Sequence, residues 1–143
     1  MIRVLAIEDN DKDRKVLSKA LRQSNVSHLL KVDFITQVED ARSFEIYDVI
    51  ITDLKLGKTN GAETVEAIRA KTTAPIIIIS GSYLSKENER AMLFAAACKS
   101  SCRYFRKGDH WTAKIGEAIR DVLRESFYHK TALHCASMIK AHG

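Results

Sequence analysis

The chain is predicted to fold as one α/β domain, a doubly wound five-stranded parallel sheet with helices on both faces. Short β-branched runs alternate with longer amphipathic stretches joined by short connections, the pattern of a parallel sheet with crossover helices. One run, Ile76-Ile77-Ile78-Ile79, has no polar face at all and requires cover on both sides. Four runs, moreover, end on polar groups. Val4-Leu5-Ala6-Ile7 leads into Glu8-Asp9, Val49-Ile50-Ile51-Thr52 into Asp53, the isoleucine run into Ser80, and Tyr104-Phe105 into Arg106-Lys107.

The first strand covers about Arg3–Ile7. A helix follows over Asp11–Gln23, its inner stripe formed by Val16, Leu17, Ala20 and Leu21 and its start capped by Asn10 or Asp11. The second strand falls within His28–Ile35, and a short helix is expected over Val38–Phe44. Asp48–Thr52 reads as a fully buried strand. The next helix, over residues 62–70, turns Val65 and Ile68 inward, and Pro75 opens the central isoleucine strand. A helix over Lys86–Ala97 carries Ala91, Met92, Phe94 and Ala95, and Arg103–Phe105 forms a short last strand. The final helix begins near Trp111, with Ile115, Ala118, Ile119, Val122 and Leu123 on its apolar side.

The domain is expected to span residues 1–127, with 128–143 a C-terminal helical extension or linker. Ala132, Leu133, Ala136, Met138 and Ile139 have helical spacing. They fit either a continuation of the last helix or a separate helix packed back on the domain. A projecting helix would need a partner over its apolar residues.

With 143 residues, 45% apolar and 29% charged, the composition is that of an ordinary globular domain able to bury roughly two-thirds of its unfolded surface. No apolar run approaches the ~20 residues of a membrane span, and the N-terminus lacks a signal-peptide pattern, so a cytoplasmic protein without a membrane partner is expected. The net charge of +5 is spread along the chain, with one concentration at Lys99, Arg103, Arg106 and Lys107. Neither a basic stripe nor a nucleic-acid-binding motif is present, and no nucleic-acid partner is expected. The three cysteines, Cys98, Cys102 and Cys135, include no CxxC pair and read as free thiols.

Ligands of open α/β sheets bind beyond the carboxyl ends of the strands. Glu8, Asp9, Asp53, Ser80 and Lys107 all occupy such ends. Crowded carboxylates repel one another and raise a pKa, and a hard divalent cation with a preference for oxygen, such as Mg²⁺, removes that penalty. A lysine beside them supplies the second positive charge that phosphoryl chemistry uses. Singly, each residue has a bland role: an aspartate caps a helix, a serine before Gly81 turns the chain, a lysine meets solvent. Their joint occurrence at strand tips makes the site.

Over about residues 1–125 the chain resembles the receiver domain of two-component response regulators. The matching stretches are Ile7-Glu8-Asp9-Asn10, Asp48 through Leu54 with Gly61, Pro75 through Gly81, and Tyr104-Phe105-Arg106-Lys107. The resemblance implies a flavodoxin-like sheet of order 2-1-3-4-5. It implies Asp53 as phosphoacceptor from a phosphohistidine, and Mg²⁺ held by Glu8, Asp9, Asp53 and the backbone carbonyl of Lys55. Lys107 would pair with the phosphoryl oxygens, while Ser80 and Tyr104 would be the switch residues that respond to them. Partners would be a histidine kinase or histidine phosphotransfer protein, and a downstream protein met through the face of the 86–97 helix, the last strand and the last helix. A homodimer is a further possibility, and the chain would be no enzyme beyond its own phosphorylation and dephosphorylation.

The chain departs from the family pattern in three respects. Glu8 stands where Asp is commoner, and Gly108 follows Lys107 where proline is usual, which makes a cis bond improbable there. The interval from Ser80 to Lys107 is longer than usual, with the extra length expected in 83–88 or 98–102. Lys55 and Ser82 occupy positions that tune phosphoryl lifetime in similar proteins. The residues beyond Lys107 are too few for a further effector domain, which favours a stand-alone regulator; the alternative is a receiver module feeding a helical linker. A Mg²⁺-dependent phosphohydrolase is disfavoured because Lys55 stands where such enzymes place a second aspartate.

Overall fold

A computed structural model of the chain describes residues 1–54, 61–81, 85–97, 100–108 and 110–142, with side chains beyond residue 128 described only at Met138. The elements are β1 (Ile2–Ile7), α1 (Asp11–Gln23), β2 (Leu30–Ile35), β3 (Val49–Thr52), α2 (Gly61–Arg69), β4 (Ile76–Ser80), α3 (Lys86–Ala97), β5 (Cys102–Arg106) and α4 (Trp111–His142). All strand pairs are parallel, and the five strands lie in the order β2-β1-β3-β4-β5. That is the predicted sheet.

Alternation along each strand builds two cores. Val4, Ala6, Val49, Ile51, Ile77 and Ile79 face α1 and α4, where they meet Leu17, Leu21, Trp111, Ile115, Ile119 and Val122. Leu5, Ile7, Ile50, Ile76 and Ile78 face the other way, against Val65 and Ile68 of α2 and Met92 and Ala96 of α3. The isoleucine strand therefore sends alternate side chains into opposite layers, which is why it lacks a polar face. On the first side α4 comes so near α1 that a Cβ at Gly116 would lie 3.0 Å from Ser24 Cβ.

Register sets the height of each strand tip. Ile35, Ile7, Thr52, Ile78 and Tyr104 form one row across the sheet. Pairing continues beyond the row: the amide of Glu8 donates to Ile35 O at 2.9 Å, that of Asp53 to Ile7 O at 3.2 Å, and that of Lys107 to Ser80 O at 3.0 Å. The candidate residues are thus the next rungs of the ladder.

Two expectations change, and one open alternative closes. The helix predicted over Val38–Phe44 is a 3₁₀ turn at Val38–Asp40 followed by bends and turns. Asp40 folds its carboxylate back onto the Gln37 amide and the Thr36 hydroxyl, while Val38 and Phe44 are buried without a helix between them. Val16 is 42% exposed, leaving Leu17, Ala20 and Leu21 as the inner stripe of α1, and Phe94 is 80% exposed on α3. Finally, the last helix runs unbroken from Trp111 to His142, about 48 Å at the usual rise, so the tail continues it. No cis peptide bond occurs among the described residues, in keeping with Gly108 after Lys107. Cys102 is a free, half-buried thiol whose pKa burial pushes up, and Cys98 lies outside the described residues.

Candidate functional site

Glu8 and Asp53 stand one residue beyond the row of Ile7 and Thr52, so alternation turns both toward the layer of α1 and α4. Both are buried, with 5% and 8% of their surface exposed. From the same side α1 contributes Asp13. Asn10 caps that helix, its Oδ1 accepting from the Asp13 amide at 3.0 Å. Carboxylate oxygens of Glu8, Asp13 and Asp53 lie within 4.8 Å of one another, a donor set that could hold a metal ion.

Lys107 enters from β5. Its Nζ lies 2.6 Å from Asp13 Oδ2, 2.9 Å from Asp53 Oδ2 and 3.8 Å from Glu8 Oε2. Burial opposes the ammonium, but hydrogen bonds to Asp13 and Asp53 outweigh it and hold the lysine pKa above its ordinary value. Burial pushes the Glu8 carboxyl up to about 7; the amide of Asn10, 3.1 Å from its Oε1, pulls it down, and the charge of Asp53 raises it further. A pocket that disfavours three anions beside one cation is chemically suited to a further positive charge. The carboxylates and Lys107 line a cavity of about 180 Å³ together with Ile7, Val16, Leu17, Ile51, Ile79 and Trp111.

Of the predicted residues, the fold brings Glu8, Asp53 and Lys107 together. Asp9 is exposed and outside the three-carboxylate cluster. Ser80, 1% exposed, ends β4, and its carbonyl receives the Lys107 amide. Tyr104 lies opposite Ile78, with its ring against the α2–α3 core and its hydroxyl buried beside the Arg106 guanidinium. Lys55, Ser82 and Lys99 lie outside the described residues. Asp13 escaped the sequence reading; its signal was an acid in the first turn after a capped strand tip.

Two arginines of the basic concentration, Arg103 and Arg106, are engaged within the chain. Arg106 pairs with Glu89 of α3 at 3.1 Å, and Arg103 pairs with Glu125 of α4, which also accepts from Ser101. These contacts tie α3, β5 and α4 into one surface. A larger groove of about 630 Å³ at the opposite end of the sheet, lined by Tyr47, Asp48, Arg69, Thr72, Ser126 and Phe127, contains none of the predicted site residues. No helix among the described residues is long and apolar enough to cross a membrane.

Residues 4–98 match the family model described as the response regulator receiver domain. The regulatory protein VirG of Agrobacterium fabrum is 35% identical over 92 residues, covering 60% of this chain and 34% of that protein. VirG of Rhizobium rhizogenes is 31% identical over 127 residues, covering 85% of this chain and 49% of the relative. The chain therefore spans half or less of the length of these curated relatives. Among solved structures, a CheY-like response regulator receiver domain protein from Methanospirillum hungatei JF-1 superposes with a TM-score of 0.71 at 20% identity, over 90% of this chain and 98% of the other. That likeness is one of fold. Family match, sheet order and the acid–lysine constellation agree, and the chain belongs to the receiver domains of two-component response regulators.

Proposed function

We propose that Asp53 is the phosphoacceptor of this receiver and Lys107 its charge partner. The observation that carries the reading is a buried Asp53 at the β3 tip, 2.9 Å from the Lys107 ammonium and clustered with Glu8. An Asp53 oxygen attacks the phosphorus of a phosphohistidine; the P–N bond breaks as the P–O bond forms, and the released imidazole takes up a proton. Lys107 follows the charge onto the phosphoryl oxygens, and Ser80 and Tyr104 respond to it, shifting the population of the α3–β5–α4 face.

The donor set fits Mg²⁺ through its oxygen chemistry and excess of negative charge. Glu8 and Asp53 of that set would hold it, with Asp9 and the carbonyl of Lys55 added only as the family resemblance implies. When bound, the ion supplies charge neutralisation for the transferring phosphoryl group. The chain is read as a cytoplasmic phosphorylation switch without small-molecule turnover. Its donor is a histidine kinase or histidine phosphotransfer protein, and its output passes through the α3–β5–α4 surface.

Acid-labile labelling by a small phosphodonor with Mg²⁺ is expected in the native chain and absent in Asp53→Asn. Persistent labelling of that variant would move the acceptor elsewhere.

A second reading is favoured by one observation, the uninterrupted run of α4 to His142. Here residues 1–127 form the receiver and 128–143 a helical linker that joins two copies.

A further inference from the structure

Lys107 is held from three directions. Its amide donates to Ser80 O at 3.0 Å, extending the β4–β5 ladder past the strand ends. Its stem passes over Gly81, where a Cβ would lie 3.3 Å from Lys107 Cδ, so the absence of a side chain at 81 gives the lysine its path. The ammonium then reaches its nearest acid, which is not Asp53 at 2.9 Å but Asp13 at 2.6 Å.

Asp13 belongs to α1, and its backbone is fixed by the Asn10 cap at 3.0 Å. Its side chain is 35% exposed and that of Lys107 26%, so solvent screens the pair in part and the effect of Asp13 is modest. An ammonium has three protons to distribute. Whatever share of its charge Asp13 holds is withheld from a phosphoryl group on Asp53, whose oxygens extend beyond the present carboxylate and require the ammonium to follow.

We propose that Asp13 is a positioning residue that competes with the phosphoryl group on Asp53 for the Lys107 ammonium, and so sets how tightly the site holds that group. The proposal rests on the reading of Asp53 as phosphoacceptor and adds a residue on α1 to the control of the acid–lysine pair. It makes α1 a sensor as well as a wall: the helix is released from β5 when the lysine turns to the phosphoryl oxygens.

The test uses beryllofluoride, a stable mimic of an aspartate-bound phosphoryl group, with saturating Mg²⁺ and the full chain. Trp111, the only tryptophan, lines the cavity shared by Asp13, Asp53 and Lys107 and supplies the fluorescence signal. Asp13→Asn keeps the size and an acceptor oxygen but removes the charge, and is expected to bind beryllofluoride roughly three- to fivefold more tightly than the native chain. Asp13→Ser, a second neutral residue suited to a helix start, must shift affinity in the same direction. Because the effect acts through the lysine, the gain shrinks when Asp13→Asn is placed in a Lys107→Ala background. Equal or weaker binding by both neutral variants overturns the proposal. So does a gain retained in full without Lys107, since Asp13 would then act on the ligand by its own charge. If the native chain with Mg²⁺ gives no beryllofluoride response at all, it is the phosphoacceptor reading that falls, taking this proposal with it.

Discussion

Glu8 carries a charge the fold does not welcome. Burial is the main reason its carboxyl is pushed up to about 7, with the nearby Asp53 adding to it against the pull of the Asn10 amide. The sign of the consequence follows from the direction. With the folded-state pKa above the ordinary value of 4.5, the stability contribution of Glu8 is fully present below about pH 4.5 and is lost as pH rises through about 7. A displacement of that size corresponds to about 3 kcal/mol as an upper figure. In EDTA, the urea midpoint of the native chain is therefore expected to fall between pH 5 and pH 8. Glu8→Gln should flatten that fall, and Mg²⁺ should raise the native midpoint more at pH 8 than at pH 5. Parallel pH profiles for the native chain and Glu8→Gln would remove the buried-charge account. Glu8, Asp53 and Lys107 were legible in the sequence because a strand end is a local signal and parallel register aligns the tips. Asp13 was not, because its place beside Lys107 depends on how α1 docks over β1, a tertiary fact with no periodicity of its own.

The elements on the other layer are joined by a residue that the sequence reading passed over. Arg69 closes α2 with 8% of its surface exposed; its Nε donates to Ala96 O of α3 at 2.8 Å, and its Nη1 donates to Ala74 O and Thr72 O. One guanidinium thus serves the carbonyl end of α3 and the chain entering β4, using the planar fork that lysine lacks. A basic residue in the last turn of a helix ordinarily suits the helix dipole from solvent, which is why its burial could not be read from sequence. Arg69→Met is expected to cost about 2–4 kcal/mol in urea unfolding, since it leaves buried carbonyls without donors. Arg69→Lys should recover less than half of that loss, while beryllofluoride affinity at the far end of the sheet stays unchanged. A loss below about 0.5 kcal/mol in Arg69→Met would make the contacts incidental. The misread helix over Val38–Phe44 has a related cause: two buried apolar residues six positions apart anchor a segment without setting a helical stripe, and Asp40 ties the backbone into a turn instead.

At the scale of the whole molecule, α4 changes character along its described length. Trp111, Ile115, Ala118, Ile119 and Val122 fill the α1–α4 core, and Ser126 is the last buried residue described on the helix. Immediately beyond, Phe127 and Tyr128 are 65% and 64% exposed, their rings edge to face at 5.9 Å, and Met138 is 49% exposed. Among the described residues, burial on α4 therefore ends at Ser126. An isolated projecting helix with aromatic and aliphatic residues gains stability by packing against another, and a second copy of the same helix offers the same residues. On the linker reading, the full chain at tens of micromolar is expected to scatter light as a dimer and the chain ending at Tyr128 as a monomer. Both should unfold at the same urea midpoint once concentration dependence is extrapolated away, and both should take label on Asp53 alike. A monomeric full chain would overturn the linker reading, and a large loss of stability on truncation would show instead that the last turns belong to the domain core.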